Sequence, residues 1–167
     1  MGTVVELGEA RAIGTNPEVE DHVFTPQHIR NFGQIESSEL WERLINDAEE
    51  RLTDVFGADL VKRRKSAVVP EGAGRCSLGT LASAYRPRLK VVDDRVRITL
   101  FDPQLEELEL AVTDIRLFQE TEQGWTVDKN KVAELDAFLH SGRGYLLSVG
   151  LTRLWSGNGG EPYHWLQ

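Results

Sequence analysis

The residues of this 167-residue chain best placed to do chemistry are cations spaced to share one surface. Arg86, Arg88 and Lys90 alternate with Leu89 and Val91, and Arg95 and Arg97 alternate with Val96 and Ile98. Between the two runs stands Asp93-Asp94, and aspartate tolerates the positive φ of a two-residue hairpin turn. Such a hairpin sets Val92 opposite Arg95, Val91 opposite Val96, Lys90 opposite Arg97 and Leu89 opposite Ile98. Period-two alternation then gives one apolar face and one face of five cations ending at Phe101. Lys90 opposite Arg97 is a like-charge pair that needs an anion or a carboxylate beside it. A phosphate backbone would meet that need, with Phe101, Trp155, Tyr163 or Trp165 as stacking platforms. The alternative is internal. If Leu100 pairs with Leu108, Glu109 faces Thr99 and lies diagonal to Arg97, starting a salt-bridge ladder. A second basic run, Lys62-Arg63-Arg64-Lys65, reads equally as a phosphate contact or as a solvated helix end.

Other chemistries lack the residues they need. The four histidines, His22, His28, His140 and His164, have no metal-ligand spacing, so no metal site and no cofactor is expected. Cys76 is the sole cysteine, which excludes an internal disulfide and suits a reducing compartment. A structural thiol is the expectation there rather than a nucleophile. The glycine stretches at 72–74 and 157–160 lack the lysine or the strand–helix setting of phosphate loops. No acid/base pair stands out among the carboxylates, and the expected function is non-enzymatic.

Net charge is −8, which at face value argues against a nucleic-acid partner. The charge is uneven, however. Residues 1–57 hold 12 acidic and 4 basic residues, residues 58–100 hold 4 and 10, and residues 101–167 hold 11 and 5. A basic middle third inside an acidic chain marks either a partner surface or a strip paired with its acidic flanks. No apolar run is long enough to span a bilayer and no secretory leader opens the chain, so the expectation is a cytoplasmic protein without a membrane partner.

These side chains must be positioned by elements whose order is legible. A short strand at 3–7 precedes an irregular stretch marked by Asn16-Pro17 and Thr25-Pro26. Ser37 or Ser38 caps a helix over about 38–56, whose apolar positions run from Leu40 and Trp41 to Val55 and Phe56, with Gly57 beyond. Strands follow at 86–92, 95–101 and 107–112, the last continuing toward 118. Asp128 then caps a helix with the stripe Val132, Leu135, Phe138 and Leu139. Strands at 145–155 and 161–167 close the chain. The fold class is therefore mainly β with α additions: an OB-like small Greek-key β-barrel, strand order βββ-α-ββ in the C-terminal half. The aromatics are expected to be core fillers first.

Ser77-Leu78-Gly79-Thr80-Leu81, Arg88-Leu89-Lys90-Val91 and the run into Val112-Thr113-Asp114 resemble the bacterial dual OB-fold domain family. Tyr145 to Leu151, followed by Tyr163-His164-Trp165-Leu166, is similar to its closing strands, and Val4-Val5-Glu6-Leu7 with Glu20 to Phe24 resembles its middle segment. The resemblance implies two apposed OB barrels that bind nucleic acid or a nucleotide, in bacterial genes tied to mobile-element conflict. It brings no catalytic residues. The family's opening strand, with its basic Cys-containing segment, is not found ahead of Gly2. The expected division is a partial first OB-like unit over 1–84 and a second barrel over 85–167. The competing expectation is a protein-interaction or assembly module, homo-oligomeric or with a protein partner, using the acidic helix or open strand edges.

Overall fold

The computed structural model describes residues 2–122, 124–156 and 160–167. The chain begins with β1 (Gly2–Glu6), the pair β2 (Ala10–Ala12) and β3 (His22–Phe24), a 3₁₀ turn at Pro26–His28, and β4 (Arg30–Ile35), which returns antiparallel to β1. The helices α1 (Ser37–Asn46) and α2 (Leu52–Phe56) precede β5 (Val61–Arg63), β6 (Ser66–Pro70) and β7 (Leu78–Leu81). Next come β8 (Arg88–Val92), β9 (Arg95–Asp102), β10 (Glu106–Ala111), a 3₁₀ turn at Ile115–Leu117, β11 (Phe118–Thr121) and β12 (Gly124–Val127). The chain closes with α3 (Lys129–Leu139), β13 (Leu147–Gly150) and β14 (Tyr163–Trp165). Among the described residues the strands form six small antiparallel sheets, none closed into a barrel. Among the described residues no helix is long and apolar enough to cross a membrane.

Hydrogen bonds outside the ladders join several of these sheets edge to edge. Glu109 N donates to Lys65 O at 2.6 Å, Gly150 and Gln167 exchange two bonds, and Leu151 N donates to Ser77 O at 2.8 Å. They enclose a core of Leu52, Val55, Phe56, Val69, Leu100, Leu108, Leu110 and Leu166, among others. Val96, Leu117, Val127 and Val132 form a second cluster under α3. β7 passes so close to α2 that a Cβ on Gly79 would lie 2.3 Å from Val55 Cγ1, which leaves room only for glycine.

Four expectations need correction. The helix over 38–56 is two helices, and its N-cap is Glu36, whose side chain makes no capping bond. Glu49 is drawn into an extended bridge with β7: its N–H donates to Thr80 O, and its carbonyl accepts from Ala82 N. A residue paired with a strand cannot continue a helix, so the tertiary contact overrides the 3.6-residue period. The strand that was to run toward 118 ends at Ala111, and the β11–β12 hairpin intervenes before α3. Lys62 to Lys65 is strand and turn, not a helix end, with Arg64 at φ 59°. The fifth strand covers only Leu147–Gly150, and its predicted far end pairs with the chain's last residues through isolated bridges, Leu151 with Leu166 and Trp155 with Tyr163. The turn expected at 156–160 lies largely outside the described residues. Asp128 caps α3 as expected, accepting from Asn130 N and Lys131 N.

The N-terminal elements rest on the body through a short strap. The Glu20 carboxylate accepts from Ser77 N (2.7 Å), Ser77 Oγ (3.1 Å) and Leu78 N (3.0 Å), and Arg153 bridges Glu18 and Asp21. Burial alone would push the Glu20 carboxyl up. The N–H groups of Glu20, Leu78 and Ser77 and the Ser77 hydroxyl outweigh it and hold the carboxyl below its usual range. A depressed folded-state value contributes stability above the unfolded value, and that contribution is lost as pH falls through the folded one. Amide exchange at Ser77 and Leu78, corrected for its intrinsic pH dependence, is therefore expected to lose protection below the ordinary glutamate range. At neutral pH, Glu20→Ala should accelerate it about 10-fold; unchanged exchange would contradict the tether.

Candidate functional site

The β8–β9 hairpin turns on Asp93 (φ 49°) and Asp94 (φ 54°), the two positive φ values of a type I′ turn. Its register places Lys90 opposite Arg97 and Leu89 opposite Ile98, and the next ladder pairs Leu100 with Leu108 and Glu109 with Thr99. Leu100, Leu108 and Leu110 are buried on one side, so Arg88, Lys90, Arg95 and Arg97 stand on the other.

Glu109 is the hub of that outer face. Lys90 Nζ lies 2.5 Å from Glu109 Oε2. The carboxyl is held below its usual range, first by the Lys90 hydrogen bond, which outweighs the burial acting against it, and then by the charges of Lys90, Lys65 and Arg97. Lys65 is present because its carbonyl, in the β5–β6 turn, accepts the Glu109 N–H. Two basic segments far apart in sequence thus meet at one carboxylate, with Lys90 paired to it and the charges of Lys65 and Arg97 close enough to favour its ionised form.

Other predicted cations are partly committed within the fold. Lys62 pairs with Glu106 at 2.7 Å, and Arg88 reaches Asp136 at 3.9 Å. Arg86 leaves the face: Nη1 donates to Leu139 O at the end of α3, and the guanidinium lies 6.0 Å from the Tyr145 ring. Arg63 stacks over Tyr163 at 4.4 Å and near Trp165 at 6.0 Å, and Trp155 meets Trp165 edge-on at 6.2 Å. Arg64 and Arg95 make no ion pair among the described residues; Arg95 sits beside the hairpin turn and Phe101 at the other end of β9, about 20 Å away at strand rise. Phe101 is half-exposed with Tyr85 against it at 4.7 Å.

The aromatics therefore correct the expectation of core fillers. Phe101 and Trp155 are exposed, and Tyr163 and Trp165 are only partly covered, because small open sheets leave their outer faces in solvent. The sequence reading missed the meeting of Lys65 with Glu109 and of Arg63 with Tyr163. No local pattern announces either, since each joins segments tens of residues apart.

The remaining chemistry-bearing side chains are dispersed. His164 is buried with Nδ1 donating to Thr152 O, and the His140 Nδ1 bonds Asp136 O. Among the described residues no three His, Cys, Asp or Glu side chains gather as metal ligands. Cys76 Sγ lies 3.0 Å from Val55 O, and burial pushes its thiol up, the reverse of an activated nucleophile. No family model, curated protein or solved structure matches this chain.

Proposed function

We propose that the chain is a non-enzymatic OB-type module that binds nucleic acid or a nucleotide on the outer face of β8–β10 and the adjoining β5–β6 turn. The observation that carries this reading is the excess of cation around Glu109, where Lys65, Lys90 and Arg97 face one carboxylate. Phosphate supplies the missing charge, and Arg63 with Tyr163, Trp165 and Trp155 supplies a neighbouring surface for a base. The resemblance to the dual OB-fold family supports the same reading, with OB-like units over 1–84 and 85–167. The acidic flanks confine the contact to a narrow strip.

The test is titration of a labelled single-stranded oligonucleotide. Three phosphate contacts give a log–log salt slope near −2 for a single strand, or about a 20-fold loss of affinity for a fourfold rise in salt. Absence of binding at low salt, or binding indifferent to salt, would reject the polyanion reading.

The exposed apolar side chains of β1, β4 and α1 favour a second reading as an assembly module. Val5, Phe32 and Ile45 are half or more exposed, or nearly so, and among the described residues β1 and β4 pair only with each other. A stable oligomer by light scattering, with no oligonucleotide retained, is its expected signature.

A further inference from the structure

A cavity of about 730 Å³ lies on the opposite side of the β8–β10 sheet from the basic strip. Its walls are the apolar row Leu89, Ile98 and Leu110, the α3 stripe Leu135 and Phe138, and the strand β13. Protein interiors pack to crystal density and leave few voids larger than a water molecule. This space is a cleft partly open to solvent, with Trp41, Leu78 and Phe138 exposed on its lining, and its apolar walls suit a small-molecule site. Small residues keep it open: Gly144, Ser148 and Gly150 all border it from the β13 side.

Trp41 of α1 stands at the rim. A Cβ built on Gly144 would lie 3.4 Å from Trp41 Cζ2, so the indole rests against the glycine backbone. The α1 helix buries none of its residues, which makes this contact one of its few attachments to the body.

The polar groups of the cavity define the ligand. Among the described residues the charged side chains of its lining are Asp114 and Arg116, and they pair with each other at 2.5 Å. Arg116 Nε also donates to both Asp114 oxygens, so the two opposite charges offset each other. The Tyr145 hydroxyl is engaged by Ser83 O and Tyr85 O. Thr113, Ser148 and Gln167 remain as neutral hydrogen-bonding side chains. An ionised ligand would lose its hydration here without gaining a counter-charge.

We propose that this cavity binds an uncharged, largely apolar small molecule, held between the inner face of β8–β10, α3 and β13 with Trp41 across the rim. The probe is N-phenyl-1-naphthylamine, a neutral dye that brightens in apolar surroundings. Titration of the full chain should give a saturable rise at one dye per chain, indifferent to salt. The anionic analogue 1-anilinonaphthalene-8-sulfonate should bind at least about 10-fold more weakly, and equal or tighter affinity would overturn the assignment of an uncharged ligand. Ser148→Phe and Leu135→Trp fill the cavity from opposite walls, and each should weaken the neutral dye by about 10-fold or more while keeping a cooperative melting transition. Undiminished binding in both filled variants, or no saturable rise in the unaltered chain, overturns the proposal. So does a rise that Phe32→Ser abolishes, since Phe32 lies on β4 and outside the cavity lining.

Discussion

Asp102→Ala is expected to lower the free energy of unfolding by about 3 kcal/mol, the largest single-residue effect outside the apolar core. Asp102 is 3% exposed, and its carboxylate holds together two parts of the fold. Oδ2 accepts the Leu52 N–H at 3.0 Å, the first residue of α2, fifty positions earlier in the chain. Oδ1 accepts Gln104 N–H at 2.8 Å and Leu105 N–H at 3.1 Å, closing the turn between β9 and β10. Alanine leaves three buried or half-buried donors unsatisfied, each costing about 1–3 kcal/mol less whatever water can enter to relieve. Asp102→Asn keeps one oxygen but turns an amide N–H₂ toward at least one donor, so an intermediate loss is expected. Urea unfolding measures both; a loss below about 1 kcal/mol for the alanine variant would show that these bonds are replaced by solvent.

The second large effect concerns the carboxylate at the centre of the basic strip. Glu109→Gln is expected to tighten single-stranded oligonucleotide binding several-fold at low salt, because it releases Lys90, Lys65 and Arg97 from their internal counter-ion. Joint reversal of Lys65, Lys90 and Arg97 to glutamate should weaken binding by about 100-fold or more. Reversal of Arg116, which is bound to Asp114 outside this strip, should leave it nearly unchanged. The pH dependence follows the same logic. The Glu109 carboxyl titrates below its usual range, so its charge persists through mild acid and is lost only as pH falls further. Affinity should rise in that window. The pair's own contribution to stability is present above the unfolded value and lost on the same descent, and it is small because the pair is solvent-screened. If the glutamine and the triple variants bind like the unaltered chain, Glu109 is not the hub of a polyanion site.

The contrast between what was legible in sequence and what was not follows contact distance along the chain. The register of the β8–β9–β10 meander was readable in large part: alternation sets the faces, Asp93-Asp94 the turn, and the conditional pairing of Leu100 with Leu108 is the one observed, although Arg86 falls outside β8. All of that is local. The break at 47–51 was not readable, because the apolar stripe runs through it and only Thr80 and Ala82 betray the strand-like state of Glu49. The cations of the candidate site were likewise visible by type, but their partners Glu106 and Asp136 and the meeting of Lys65 with Glu109 come from distant segments. The aromatics were misjudged for a related reason. A closed barrel would enclose large side chains, whereas six small open sheets leave Trp155 and Phe101 outside.

The strap at Glu18 to Asp21 divides the molecule in the time domain as well as in space. Both buried clusters draw their members from Leu52 onward, so opening β1, β4 and α1 removes no member of either, and what it uncovers is the Trp41 side of the cavity. Their amides should exchange through brief partial openings, while those of β6, β9 and β10 wait for complete unfolding. Trp41 belongs to the fast-opening part, and the cavity it borders belongs to the slow one. Each excursion of the N-terminal elements is therefore also an opening of the cavity's rim, which makes the rate of entry a property of the strap rather than of the core.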